Sequence, residues 1–220
     1  MLLLLSVVSF CGSMVHALVI TGWRDAIAKA MDGGAEPRGH PDLQMVSMVV
    51  PARNAADTLM PLLQDLHAQQ WPRDLVEVLV MDDGSTDGTG AQVRGMMRTW
   101  PGLRLLAVRG EGKKTAIAQG VAEARGEWVV LTDADARCGP MRIRQIMDRV
   151  ALGTVDMLLL PVETRAGTSL LQALQADEQA GMLGIAAGTA LQGNPVLANG
   201  ANMAFRKEAF LAVGGYAGGR

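Results

Sequence analysis

Aromatic side chains are scarce in this 220-residue chain, with three Phe, four Trp and one Tyr making up 4% of it. Its core must therefore be built from Leu, Val, Ala and Met. Cysteine is nearly absent: Cys11 and Cys138 are too few and too different in setting for a disulfide framework or a metal cluster, which is compatible with a reducing compartment. There is no basic excess either. Twenty Lys and Arg against 22 Asp and Glu leave a net charge of −2, which argues against nucleic acid as a partner. Disorder is excluded by a hydrophobic fraction of 49% against 19% charged residues.

The first 23 residues lack charge altogether. MLLLLSVVSFCGSMVHALVI meets the length needed to cross a hydrocarbon core of ~30 Å, about 20 helical residues, and is interrupted only by Ser, Gly and His. We expect a single transmembrane helix over residues 1–23. A signal peptide and a buried core helix are the competing readings, and the first lacks the basic residues that precede an apolar signal core, since no Lys or Arg comes before Arg24. Arg24, Lys29 and Arg38 all follow the segment, so the rest of the chain is expected to face the cytoplasm from the inner (cytoplasmic) membrane.

Residues 24–44 are rich in Gly, Pro and alternating charge and read as a linker. From Met45 onward, short β-type runs alternate with helical patterns. The runs are Met45–Val50, Val76–Met81, Leu103–Val108, Trp128–Thr132 and Met157–Pro161; the helical stretches are Leu59–Gln70, Gly90–Thr99, Thr115–Ala124 and Met141–Val150. Strict alternation predicts an α/β domain over residues 45–220, with a mainly parallel sheet and helices on both faces.

Polar residues cluster where the predicted strands end: Pro51-Ala52-Arg53-Asn54, then Asp82 to Gly88, then Asp133-Ala134-Asp135. The carboxyl ends of parallel strands share one edge, and ligands bind in the crevice outside it. Each cluster also has a plainer reading. Asp82 to Gly88 is rich in turn formers, and Thr86 or Asp87 can cap the next helix. In an extended segment Asp133 and Asp135 point to the same side and can converge on a hard divalent cation that shares its remaining positions with phosphate and water; the alternative is a solvated turn. The loop Arg109-Gly110-Glu111-Gly112-Lys113-Lys114-Thr115 fails the P-loop pattern twice, at Ala107 and at Lys114, so a nucleoside-triphosphate hydrolase is not expected. Its lysines, opening a helix, suit either a phosphate or solvent.

Taken in order, Val49-Val50-Pro51-Ala52-Arg53-Asn54, Asp82-Asp83-Gly84-Ser85-Thr86-Asp87, Gly112-Lys113-Lys114, Thr132-Asp133-Ala134-Asp135, Asn199 to Arg206 and Val213-Gly214-Gly215-Tyr216 resemble the family-two inverting glycosyltransferases with a GT-A fold, and most of all their membrane-anchored bacterial branch. The resemblance implies that Pro51, Ala52 and Arg53 line a uridine pocket, that Asp82 and Asp83 include the carboxylate bonded to the base, and that Lys113 sits near the nucleotide. It also implies Asp133 near the ribose or donor sugar, Asp135 on a Mg²⁺ or Mn²⁺ bridging the diphosphate, and Asn202 as a sugar contact. A helix over Ser169–Gly188 either flanks the acceptor or is an amphipathic packing element. The implied reaction moves a sugar from a nucleotide sugar, expected to be a UDP-sugar, to a membrane-lipid or polysaccharide acceptor.

Two departures bear on this expectation. Ala55 stands where many members carry Glu, leaving that contact missing or shared by Asp57. The family's catalytic base comes from an acidic pair beyond the Gly-Gly-aromatic segment, so the base is expected beyond Arg220 and the chain reads as the donor-binding portion of a longer enzyme, with Asp177 and Glu178 the nearest substitutes. Two alternatives stay open at this point: a sugar nucleotidyltransferase, which wants a Gly-rich, Arg- and Lys-bearing signature after the first strand, and a non-catalytic membrane-tethered nucleotide-sugar binding module.

Overall fold

The computed structural model describes residues 2–32, 43–153, 155–163, 169–198 and 200–218. The chain divides into two compact units, one containing two long helices and the other holding every strand among the described residues.

In the helical unit, α1 (Leu2–Asp32) follows from an apolar run with no proline, and α6 (Leu170–Leu191) opens on a capping box. Ser169 Oγ accepts the Gln172 N–H at 3.2 Å while Gln172 Oε1 accepts the Ser169 N–H at 3.3 Å. The two helices meet where Gly188 of α6 leaves room for Trp23 of α1 and Gly22 approaches Gln192. α1 runs on to Asp32, so the first nine residues read as a linker are helical; residues 33–42 of that stretch lie outside the described residues. The same is true of the side chains of residues 1–9 in the expected span. Among the described residues, no helix is long and apolar enough to cross a membrane.

The α/β unit contains β1 (Val46–Ala52), α2 (Leu59–His67), β2 (Val76–Asp82), α3 (Thr89–Met97), β3 (Leu103–Ala107), α4 (Lys113–Glu123), β4 (Trp128–Thr132), α5 (Arg142–Val150), β5 (Met157–Leu159), β6 (Asn202–Arg206) and α7 (Lys207–Ala212). Its strands form one sheet in the order β3-β2-β1-β4-β6-β5. β1, β2 and β4 are almost entirely buried, as strands covered on both faces must be. On one face Met48, Val50, Val78, Val80, Trp128 and Val130 meet Leu59, Leu62, Leu63 and Leu66 of α2 and Ile143, Ile146 and Met147 of α5. On the other, Val49, Leu79, Met81, Val129 and Leu131 meet Ala116, Ile117 and Val121 of α4, with Phe210 of α7 and Tyr216 packed behind.

The expectation of a mainly parallel sheet holds for β1 to β4. β6 corrects it on the far side, running antiparallel to both β4 and β5, so the sheet is mixed. Local preference for a strand at 202–206 is weak, since Asn-Gly-Ala-Asn favours a turn and Met-Ala-Phe carries no β-branched residue. Pairing to β4 overrides that local preference. The reversed direction has a consequence for the site, because Asn202, the first residue of β6, lies opposite Thr132, the last of β4.

At the opposite edge, the buried Glu77 carboxylate accepts from Ser47 Oγ at 2.6 Å and the Arg125 N–H at 2.5 Å and pairs with Arg104 at 3.3 Å, locking the strand starts together. On the sheet face, α4 approaches so closely that a Cβ on Gly120 would lie 2.5 Å from Val49 Cγ1 and 3.1 Å from Met81 Cγ. Gly95 of α3 has nothing within 4 Å of the same position. Gly120→Ala is therefore expected to destabilise the unit by about 1–3 kcal/mol through overpacking, despite the gain in helix propensity. Gly95→Ala should stabilise it by about 0.5–1 kcal/mol. Urea titration of the detergent-solubilised chain followed by circular dichroism distinguishes the two.

Candidate functional site

β1 lies between β2 and β4, and chain connections leave it in opposite directions, outward to β2 and β3 on one side and to β4 on the other. The carboxyl ends of β1 and β4 therefore flank the point where a doubly wound sheet opens a crevice. Every sequence-predicted donor residue lies on this edge: Pro51 and Ala52 end β1, Arg53 follows, Asp82 ends β2 and Asp83 follows, Lys113 opens α4, Asp133 and Asp135 follow β4, and Asn202 begins β6.

The loops after β1 and β2 are laced together. Asn54 adopts φ 51°, which an Asn tolerates, and its Oδ1 accepts the Thr86 N–H at 2.9 Å while its own N–H donates to Ser85 Oγ at 3.0 Å. The Ala55 N–H donates to Thr89 Oγ1 at 2.9 Å, and the Ala56 N–H to Asp87 Oδ2 at 2.9 Å. Asp87 also accepts from the Thr89 hydroxyl at 2.6 Å, and these bonds hold its carboxyl below the usual range. Ser85, Thr86 and Asp87 are thus scaffold, in line with the turn reading. Ala55 is buried and brings no carboxylate, and Asp57 is exposed on the same loop.

The two aspartates of β2 are held differently. Asp82 Oδ1 accepts the Ser85 N–H at 2.9 Å. Asp83, only 11% exposed, accepts the Gly112 N–H at 3.0 Å and lies 3.7 Å from the Arg53 guanidinium. Gly112 has φ 95°, the left-handed region that favours glycine. One residue on, Lys113 Nζ reaches Asp133 Oδ1 at 2.5 Å, and that oxygen is itself screened from solvent. Lys113 is thereby brought to the end of β4.

One premise of the sequence reading needs correction. Asp133 to Asp135 is not extended: β4 stops at Thr132, and the Ala136 N–H donates to the Asp133 carbonyl at 3.1 Å, closing a turn. The strand yields to the turn because Asp-Ala-Asp carries no residue that favours a pleated surface. The donor set still fits a hard divalent cation, since the turn carries one screened and one exposed carboxylate. Among the described residues no group of three His, Cys, Asp or Glu could hold a metal ion by itself.

The stretch after this turn is tied to α2. Arg137 donates to both Asp65 oxygens, at 2.6 and 2.9 Å, and the Cys138 N–H donates to Asp65 Oδ2 at 3.1 Å. Gln69 donates to the Gly139 carbonyl at 2.8 Å and accepts the Ile143 N–H at 3.0 Å. Arg142, absent from the sequence-predicted set, donates to the Leu131 carbonyl at 3.1 Å and to Asn202 Oδ1 at 2.6 Å. Burial lowers its pKa from the ordinary value and raises that of Cys138 beside it. A signal for Arg142 was present, because a cation opening a helix opposes the helix dipole and wants a specific partner. Asn199 lies outside the described residues, and Asp177 and Glu178 lie exposed on α6, in the other unit.

With this geometry in place, the match to known proteins is specific. The sequence pattern of glycosyl transferase family 2 matches residues 47–214. The chain belongs to that family. Family membership sets aside the nucleotidyltransferase alternative. Its relatives include the succinoglycan biosynthesis protein ExoO of Rhizobium meliloti, 34% identical over 52% of this chain and 34% of that protein. Another is the undecaprenyl-phosphate 4-deoxy-4-formamido-L-arabinose transferase of Edwardsiella ictaluri, 31% identical over 50% of this chain and 35% of that one. The matches thus cover about a third of the length of these relatives. Among solved structures, the mannosyltransferase PcManGT of Pyrobaculum calidifontis, in complex with GDP-Man and Mn²⁺, superposes with a TM-score of 0.70 at 26% identity, covering 94% of this chain and 57% of that one. TarS of S. aureus in complex with UDP-GlcNAc gives 0.52 at 25% identity, over 57% and 36% of the two chains.

The Asp65–Arg137 pair makes the footing of the family-2 site pH-sensitive. Hydrogen bonds from Arg137, opposed in part by burial, keep the Asp65 pKa below its ordinary value. A carboxyl lowered in the folded state stabilises fully above its unfolded pKa, about 4, and that stabilisation is lost as pH falls through the folded value. Asp65→Asn should therefore unfold at lower urea than the wild type at pH 7, with the difference shrinking below about pH 4. Urea midpoints measured from pH 7 to pH 2.5 check both the sign and the window.

Proposed function

We propose that this chain supplies the donor-binding part of an inverting glycosyltransferase that moves a sugar from a nucleoside-diphosphate sugar to a lipid-linked or polysaccharide acceptor, using Mg²⁺ or Mn²⁺. The observation that carries this reading is the convergence of two ion pairs, Arg53–Asp83 and Lys113–Asp133, with Asn202 on one sheet edge at the β1/β4 crevice. The nucleotide-sugar ligands of PcManGT and TarS support it. The undecaprenyl-phosphate transferase supports a lipid-linked acceptor.

On this reading the end of β1 takes the nucleoside, with uridine as the expected base and Asp82 or Asp83 accepting from it. Lys113 and Arg53 face the diphosphate, where their charge stabilises the departing nucleoside diphosphate as the acceptor hydroxyl attacks the anomeric carbon. A fixed donor at developing oxyanion charge is typically worth about 10²–10³ in rate. When bound, the divalent cation supplies further neutralisation of the diphosphate, with Asp135, and Asp133 beside it, as its protein ligands. All of these residues serve the donor; none is assigned as the base that takes the acceptor's proton.

We place the chain at the inner membrane through α1, with the α/β unit in the cytoplasm. Supporting this are the absence of charge before Arg24, and the exposure of Phe10, Met14, Val15 and Leu18 along the helix until Trp23 meets Gly188. The full chain should remain with membranes through carbonate extraction, and a periplasm-only reporter fused after Arg220 should be silent. Release by carbonate contradicts the anchor, and an active reporter contradicts the orientation.

Calorimetric titration of UDP and GDP tests the donor site. Binding is expected only with Mg²⁺ or Mn²⁺ and should weaken about tenfold or more in Asp135→Asn, because carboxylate and diphosphate share the cation. Equal affinity with and without metal, or an unaffected variant, would sink the metal assignment, and absence of nucleotide binding would sink the donor site.

A further inference from the structure

Lys113 and Asp133 are in closer contact than the other ion pair on the donor edge. Lys113 Nζ lies 2.5 Å from Asp133 Oδ1, against 3.7 Å between Arg53 and Asp83. Oδ1 is closed to water with the ammonium against it, although the Asp133 side chain as a whole is 27% exposed. The lysine is unfavourably placed as a helix residue, because it opens α4, where the helix dipole repels a cation. Nor does α4 depend on the pair for its seat. Ala116, Ile117 and Val121 bury its inner face, Gly120 packs on Val49 and Met81, and its start is tied by the Gly112 N–H to Asp83 and by the Thr115 hydroxyl to the Glu111 carbonyl. With Lys113 half exposed, the pair adds little to stability.

What the pair does decide is the charge available to a cation. The turn from Asp133 to Asp135 brings two carboxylates, and Lys113 neutralises one of them. Among the described residues no third His, Cys, Asp or Glu joins them in a group able to hold a metal ion. A divalent cation entering alone therefore meets one uncompensated carboxylate, and an ammonium on an oxygen that the two would have to share. Repulsion between one and two positive charges a few ångströms apart lowers affinity by about a factor of ten even in a water-like dielectric. A diphosphate changes both conditions. Its oxygens add negative charge and oxygen ligands, and a lysine, a compact point charge on a flexible four-carbon stem, can leave the carboxylate for a phosphate oxygen.

We infer that Lys113 makes cation binding conditional on the diphosphate: its ammonium competes with a divalent cation for the Asp133 carboxylate and transfers to the phosphate when nucleoside diphosphate and cation bind together. The inference rests on the donor site proposed above and gives Lys113 a second task there, the exclusion of the free cation.

The test measures the cation and the nucleotide separately. The detergent-solubilised full chain is titrated with Mn²⁺ alone, free Mn²⁺ being read from its electron paramagnetic resonance signal, and then by calorimetry with UDP and GDP at constant Mn²⁺. Lys113→Met should bind Mn²⁺ alone about tenfold more tightly than the wild type. The same variant should bind the nucleoside diphosphates roughly tenfold more weakly, the scale of a lost charged hydrogen bond. Opposite signs in one variant are not what a merely structural defect produces. Adding Asp133→Asn to Lys113→Met should cancel the gain in Mn²⁺ affinity, because the gain is made at that carboxylate. Lys114→Met removes the same charge from the next, exposed residue and should change the affinity for Mn²⁺ alone by less than about twofold. Lys113→Gln serves in place of Lys113→Met if the latter fails to fold. Unchanged or weaker binding of Mn²⁺ alone in the Lys113 variant, an equal gain in Lys114→Met, or a gain that survives Asp133→Asn overturns the inference. A wild-type chain that binds neither UDP nor GDP with Mn²⁺ instead overturns the donor-site reading, and the titrations with Mn²⁺ alone still decide the competition for Asp133.

Discussion

The pairing of β4 against β1 on one side and β6 on the other is the constraint on which the rest depends. Parallel pairing from Val46↔Trp128 to Val49↔Leu131 brings the end of β4 beside the end of β1, although these segments lie far apart in the chain. Antiparallel pairing then brings the start of β6, not its end, to the same edge. A parallel β6 would have put Arg206 there and Asn202 at the far side. One reversed strand thus adds the Asn202 carboxamide to this edge.

Charge on that edge is arranged in compensated pairs. Arg53 with Asp83 and Lys113 with Asp133 each join two strand ends or a strand end and a helix start, so each pair fixes relative position as well as charge. Both cations are more than half exposed, which limits what the pairs contribute to stability and leaves the cations able to meet a phosphate. The lacing of Asn54 to Ser85 and Thr86, and of Asp65 to Arg137, does the structural holding instead. The side chains that hold these loops together are therefore different residues from the exposed cations Arg53 and Lys113.

Much of this was legible in the sequence because it was local. Apolar runs located β1 to β5, and the strand-end clusters at Arg53, Asp82–Asp83 and Asp133 named the edge before the topology was known. Three things were not legible, each for a nonlocal reason. β6 has weak strand character and forms because β4 is there to pair with. The Asp133–Asp135 segment turns where an extended run was expected, since the strand ends one residue earlier. Arg142 lay within a correctly expected helix, where a cation in the first turn hints at a partner, but the partner, Asn202, is 60 residues away and no local pattern names it.

The central claim is that one edge of the sheet, and not the opposite one, binds a nucleoside diphosphate. Amide hydrogen exchange resolved by mass spectrometry tests it most directly, comparing the chain alone with the chain saturated in UDP or GDP and Mn²⁺. Protection is expected in the segments holding Ala52–Asn54, Asp82–Ser85, Gly112–Lys113, Asp133–Ala136 and Asn202, with no change in the open groove at the far edge lined by Arg125, Glu127, Lys207 and Leu211. Protection confined to that groove, or none at Lys113 and Asp133, would contradict the account.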